Sequence, residues 1–484
     1  MNLDEYSEHD ALGLAELVRN GDLSAAELLE TAKMAISEVD PELGFLVSDT
    51  FKNAERSVAA GVPDGPFSGV PFLKKDLGQF CKNIQSDFGC RLVEGFTPTS
   101  DSNFYSRIKQ AGLVIVGRSA VPSFGGSGTT EPAYRGVATK NPWKPTHSSG
   151  GSSGGAAAAV ASRALPISHT SDGGGSTRMP AAHCGLVGHK PTRGLLPSGP
   201  GQGELLGGFA VDGIVSRSLR DTAAFLDAVA GPDAGCRYFT PPPERTFVST
   251  LDEAPRPLRI ALNISSPARI AIDPDCSRAA EQAGSLLTDL GHFVDLIAPF
   301  PDAIDTGLAG AHIWAAHTAA NTQAFATLMG RSVTPETVEP AIYAMAEAGA
   351  TVTALDLIVA YNKINELSRA FGRFFEQWDL LVEPATAIPA PPLGSIPDNK
   401  SNVTVEEWGE AIVPLNCFTN RANKAGLPAN AIPWDVTDTG LPVGIQLMGP
   451  FGSDALCLQM GRQIELARPW IHRRPPVCVG GNAG

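Results

Sequence analysis

A chain of 484 residues, 43% hydrophobic and 18% charged, can bury a large core, which excludes disorder as its working state. A formal charge of −14 without any long basic run excludes a nucleic-acid surface. Eight scattered cysteines, with no C-x-x-C pair, exclude a zinc cluster or disulfide framework and read as reduced, mostly buried thiols.

The N-terminal "MNLDEYSEHDALGL" carries acids where a secretory signal would carry lysine or arginine. No stretch approaches the roughly 20 apolar residues of a membrane helix. The expectation is a cytoplasmic enzyme with no membrane partner. "DALGLAELVRNG" predicts a helix ending at Gly21, and Ser24 with Glu27 forms a capping box for a second helix that Pro41 should stop. "FSGVPFLKKDLG" reads as a short strand entering a loop, and Leu113 to Val116 as a strand stopped by Gly117. "NPWKPTHSS" shows no strand pattern.

"AAAAVASRALPISH" predicts a helix and then an apolar strand. "LRIALNI" is a further strand, followed by a helix, Gly291 and a strand within "DPDCSRAAEQAGSLLTDLGHFVDLI". Residues from about 303 to 376 read as mainly helical. "WDLLVEPATAIPAPP" and "LPVGIQLMGP" supply late strands, with a last helix from Asp454 to Ala467. Alternating strands and helices predict an α/β fold, a large mixed sheet covered by helices on both faces. The later strands extend the same sheet, so 1–484 is expected to form one domain.

"HSSGGSSGGAAAAVASRALPISHTSDGGGSTRMPA", residues 147–181, places Gly-Ser loops on either side of packed structure. A linker would not hold a helix and a strand between two such loops. Neither loop has the G-K-[ST] or dinucleotide spacing of a phosphate site. Gly150 to Gly154 matches the G-x-S-x-G nucleophile elbow, with His292 or His317 as later histidines, but the strand an elbow requires is missing from the pattern. A serine nucleophile needs a base, and where a histidine does not serve a lysine is the next candidate, provided burial keeps it neutral. Strand alternation puts Lys74 and Lys75 on opposite faces, so one serves the site and the other faces solvent; spacing does not choose between them.

"SGVPFLKKDLG", "NPW", "GGSSGGAAAAVA", "SDGGGSTRMPAAHCGLVGHKPTRG", "AGLPANAIP" and "GLPVGIQLMG" stand in order from about 65 to 470 and resemble the amidase signature family. "TTEPAYRGVATKNPW" and "LARPWIHRRPP" resemble its 6-aminohexanoate cyclic-dimer hydrolase branch. The resemblance implies Lys75 as base, Ser152 as bridging serine and Ser176 as nucleophile, with a cis Gly151–Ser152 peptide. An oxyanion hole is expected from the Gly173, Gly174 and Gly175 backbone. Ser153, Asp172 and Arg178 are expected to hold the loops. Ser127 is expected in the acyl-pocket loop, and Trp314 and His317 are candidates for substrate contact. Thr177 and Met179 stand where many relatives carry bulkier aliphatics.

The chemistry implied is hydrolysis of small, largely apolar linear or cyclic amides through an acyl-enzyme, with no metal or organic cofactor. The same loops would serve an ester or carbamate hydrolase, or the amidase subunit of a glutamine-dependent tRNA amidotransferase. A non-catalytic relative would have no reason to keep Lys75, Ser152 and Ser176 together. A homodimer is the one oligomer considered.

Overall fold

The computed structural model describes residues 1–298 and 304–481. Position 303, the expected start of the helical region, lies outside them. Thirteen strands occur among the described residues: β1 Leu46–Asp49, β2 Pro71–Lys75, β3 Val114–Ser119, β4 Lys140–Asn141, β5 Lys144–Ser148, β6 Ile167–Asp172, β7 Val187–Lys190, β8 Val211–Ser216, β9 Arg259–Leu262, β10 Phe293–Leu296, β11 Leu380–Pro384, β12 Ala429–Val436 and β13 Pro442–Met448. Eleven of them form one mixed sheet in the order β1-β3-β2-β6-β8-β7-β12-β13-β11-β9-β10. β2 runs parallel to both β3 and β6, and the middle of the sheet, from β6 to β11, is antiparallel.

Helices cover both faces, as the alternating pattern predicts. β2 sits inside the sheet, and all five of its residues are buried. Its two lysines therefore cannot divide between a site and solvent. Lys74 is as buried as Lys75, which corrects the expectation that one of them is solvated. Alternation does separate them: Lys74 Nζ donates to Ser86 Oγ (2.9 Å) and to the Lys75 carbonyl (2.9 Å), away from both Gly-Ser loops.

Three local readings are also corrected. The second helix, Ala25–Leu43, passes through Pro41 and ends at Gly44, because a proline near the C-terminal turn breaks the ladder without expelling the last residues. β3 runs through Gly117 to Ser119, held on both sides by β1 and β2. "KPTHS" is a strand, β5, but it pairs only with β4 in a two-stranded ribbon outside the main sheet. Its pattern is weak because its residues are only partly buried.

The helix Gly154–Ala161 is buried along its whole length and packs against β6. Gly155 allows the approach: a Cβ there would lie 2.4 Å from the Ala120 nitrogen. The predicted helical region forms Gly307–Met329, Pro340–Ala350 and Ala354–Phe374. Among the described residues no single helix is long and apolar enough to cross a membrane. All eight cysteines are free, and all but Cys236 are buried.

Candidate active site

Parallel pairing of β2 with β6 brings the end of "PFLKK" beside "HTSD". Residues 169 and 171 share a face of β6 by the period of two. Both meet Lys75: its backbone N–H donates to His169 Nδ1 (3.2 Å), and its Nζ contacts Ser171 Oγ (2.9 Å) and the Ser171 carbonyl (3.2 Å). The amine also reaches Ser152 Oγ (2.9 Å) and Ser153 Oγ (2.7 Å). No carboxylate lies within ion-pair distance of it among the described residues. Burial lowers the Lys75 amine to about 7, opposed by the charges of Asp212 and Asp172.

Ser152 and Ser153 start the buried helix Gly154–Ala161. Ser153 occupies the N-cap position without capping, because its hydroxyl is turned to Lys75. The Gly151–Ser152 peptide is cis, as the resemblance implies. The Ser153 N–H donates to the Ser176 carbonyl (3.3 Å), which ties the two Gly-Ser loops together.

The second loop is organised by Asp172. Its carboxylate accepts from the N–H groups of Gly175 (2.8 Å), Thr177 (3.2 Å) and Arg178 (3.3 Å). The Arg178 guanidinium grips it through Nε (2.9 Å) and Nη2 (2.8 Å). Burial would push this carboxyl up, but Arg178 and Asn423 outweigh that and hold it well below the usual range. Arg178 also binds the Thr419 carbonyl (2.8 Å) and Gln446 Oε1 (2.5 Å), and Gln446 passes the network to Glu383 (2.8 Å).

This arrangement revises the expected oxyanion donors. The Gly175 N–H is occupied by Asp172, whereas the N–H groups of Gly173, Gly174 and Ser176 have no acceptor among the described residues. Gly175 has another task. Its φ is +130°, and a Cβ there would strike Thr419 Oγ1 at 2.2 Å, the hydroxyl that holds the Gly174 carbonyl (2.8 Å).

Ser176 lines a cavity of about 250 Å³, and its hydroxyl makes no hydrogen bond among the described residues. Met179, Trp314, Met345, Trp408, Ile412 and Leu415 make most of the wall apolar. Trp314 lies against the glycine loop, its ring 3.3 Å from where a Gly173 Cβ would sit. Ser127 is in the wall, with its hydroxyl held by buried Asp398 (2.6 Å). His317 is outside the lining and meets the Tyr361 hydroxyl (3.3 Å). His292 lies elsewhere, bonded to Leu258 N–H and Gln463. The expected residues on the two loops thus converge with Lys75, Trp314 and Ser127 flank them, and His317 is apart.

Sequence reasoning missed several groups here. Ser171 could have been found from strand alternation with His169. The buried chain Tyr105–His169–Asp212–Gln79 behind Lys75 had no local signal, since its members come from four separate segments. Lys190, buried and brought down to about 7 by burial, was likewise silent in the sequence.

With this geometry in view, comparison with known proteins is direct. The Amidase family model matches residues 27–458. A curated relative, the 6-aminohexanoate-cyclic-dimer hydrolase of Paenarthrobacter ureafaciens, is 34% identical over 480 residues, 96% of each chain. A solved structure of 6-aminohexanoate cyclic dimer hydrolase superposes with a TM-score of 0.92 at 33% identity, covering 97% of this chain and 99% of that one. A bacterial aryl acylamidase of the amidase signature family superposes at 0.84 with 25% identity, covering 96% of each. Fold and sequence together define a hydrolase acting on carbon–nitrogen bonds. The chain belongs to the amidase signature family.

Proposed function

We propose that this amidase cleaves small, largely apolar amides, cyclic ones included, through Lys75, Ser152 and Ser176 and an acyl-enzyme. The observation that carries the reading is the contact of a buried, ion-pair-free Lys75 amine with Ser152 Oγ, beside a loop whose Ser176 lines an apolar cavity. A neutral amine has two N–H donors and one lone pair. The Ser171 carbonyl can only accept, so it takes one N–H, and a serine hydroxyl must donate to the lone pair.

In the proposed reaction Lys75 takes the Ser152 proton while Ser152 takes that of Ser176. The Ser176 oxygen bonds to the amide carbon, and the oxyanion is held by the free N–H groups of the 173–176 loop. The C–N bond then breaks as the proton returns through Ser152 to the leaving nitrogen, which departs as amine. Water adds to the acyl-enzyme through the same relay and releases the acid.

The cavity falls below the roughly 300–1,000 Å³ of drug-sized ligand sites, which favours a small substrate. The cyclic-amide reading is supported by the activity for which the 34% identical relative is named. The amidotransferase reading needs a partner for the ammonium of glutamine, and among the described residues no Asp or Glu lines the cavity. The test is a screen of the purified chain alone against anilides, linear and cyclic amides, esters and carbamates. Turnover of amides that Ser176→Ala abolishes is expected; turnover confined to esters or carbamates, or dependence on partner subunits, would contradict the reading.

A further inference from the structure

Lys424 is the one charged side chain in the wall of this cavity among the described residues. Its Nζ donates to the Thr306 hydroxyl (3.1 Å) and carbonyl (3.3 Å), which leaves the third N–H without an acceptor among the described residues. No carboxylate lies within ion-pair distance of it among the described residues. Burial lowers the amine to about 8, opposed by the charge of Asp305, so it stays mainly cationic at neutral pH. Gly310 makes room for it: a Cβ there would stand 3.0 Å from Lys424 Cε and 3.2 Å from Nζ.

The helix Gly307–Met329 supplies a ruler. Gly310 touches Lys424, and Trp314, four residues on and on the same face, touches the glycine loop beside Ser176. The two positions stand about 6 Å apart along the helix axis, comparable to about four or five bonds of an extended substrate. A cationic amine with a spare N–H in a mostly apolar cavity gains from one further oxygen acceptor.

We propose that Lys424 is a specificity residue that binds a second acceptor oxygen of the substrate, a carboxylate or an amide carbonyl, several bonds from the scissile amide. The proposal rests on the amide-hydrolase reading and deepens it: the preferred substrate is an apolar chain or ring with a second polar oxygen set apart from the bond that is cut.

The test compares kcat/KM for the p-nitroanilides of adipic acid, its monoamide and hexanoic acid, and for N-hexanoyl-6-aminohexanoate against N-hexylhexanamide. The first series places the acceptor on the acyl side and the second on the amine side. Wild type is expected to favour the acceptor-bearing member of at least one series by about tenfold or more, through KM. Lys424→Met should bring that ratio toward one, and Lys424→Arg should restore part of it. Ratios within one variant do not depend on the folded fraction, and Lys424→Gln serves if the methionine variant fails to fold. The carboxylate and monoamide members separate the two sources of oxygen. Equal rates within both series, or a preference unchanged in the variants, would overturn the role. Wild type inert on every substrate and unlabelled at Ser176 by a sulfonyl fluoride would overturn the hydrolase reading itself, and this proposal with it.

Discussion

The two walls of the cavity are built by opposite means. On the sheet side, the loops around Ser152 and Ser176 are braced by a hydrogen-bond network with a buried ion pair, Asp172–Arg178, at its centre. On the helical side, Trp314, Met345 and their neighbours offer apolar surface, and few polar contacts fix their positions. The contrast matches the proposed division, with chemistry on the first wall and substrate choice on the second. A reacting constellation must be held to within a fraction of an ångström, and hydrogen-bonded loops on a buried sheet do this better than apolar packing. Apolar packing tolerates changes of shape, which suits a surface that selects among substrates.

The contrast breaks if both walls respond alike to substitution. The largest effect is expected at Ser176→Ala, with kcat falling by at least about 10³-fold and thermal stability little changed, measured by steady-state turnover and thermal unfolding. Lys75→Met should approach that loss, because the relay loses its base. Lys74→Met should cost far less in kcat, since Lys74 faces Ser86 and reaches neither loop. A larger loss at Lys74 than at Lys75 would exchange their roles.

Next comes Arg178→Met, which leaves buried Asp172 without its cation. Removing one partner of a buried pair typically destabilises by about 3–5 kcal/mol, and urea denaturation should show a loss of that order. The smallest effect is expected at Trp314→Ala, a rise in KM of about tenfold for ring-shaped amides with kcat nearly preserved, read from initial rates on cyclic and linear substrates. A large fall in kcat there would place part of the chemistry on the helical wall.

Much of the first wall was legible in the sequence, and less of the second. Glycine and serine advertise the loops because close backbone approach and short hydroxyls require those residue types at fixed spacings. The family resemblance then chose Lys75 where alternation alone left two lysines open. Alternation correctly put Lys74 and Lys75 on different faces but did not give their exposure, because burial of β2 depends on the flanking strands β3 and β6 and on the helices Ala25–Leu43 and Gly154–Ala161 packed against it. The role of Gly175 was also misread: Asp172, three residues earlier, takes its N–H, a contact that only the folded loop reveals. Lys424 was invisible for the same reason. Within "NRANKAGLP" it is one more helix lysine, and its place in the cavity comes from packing against Gly310, over a hundred residues away.

The most direct measurement is the rate at which a sulfonyl fluoride labels the enzyme as a function of pH, with the labelled peptide identified by mass spectrometry. Lowering pH protonates Lys75, removes its lone pair and stops the relay, so labelling should sit on Ser176 and rise through a single ionisation near 7. Lys75→Met should abolish that ionisation together with most of the rate. Labelling at another residue, or a Ser176 rate that is unchanged by pH and by Lys75→Met, would contradict a neutral buried lysine as the base.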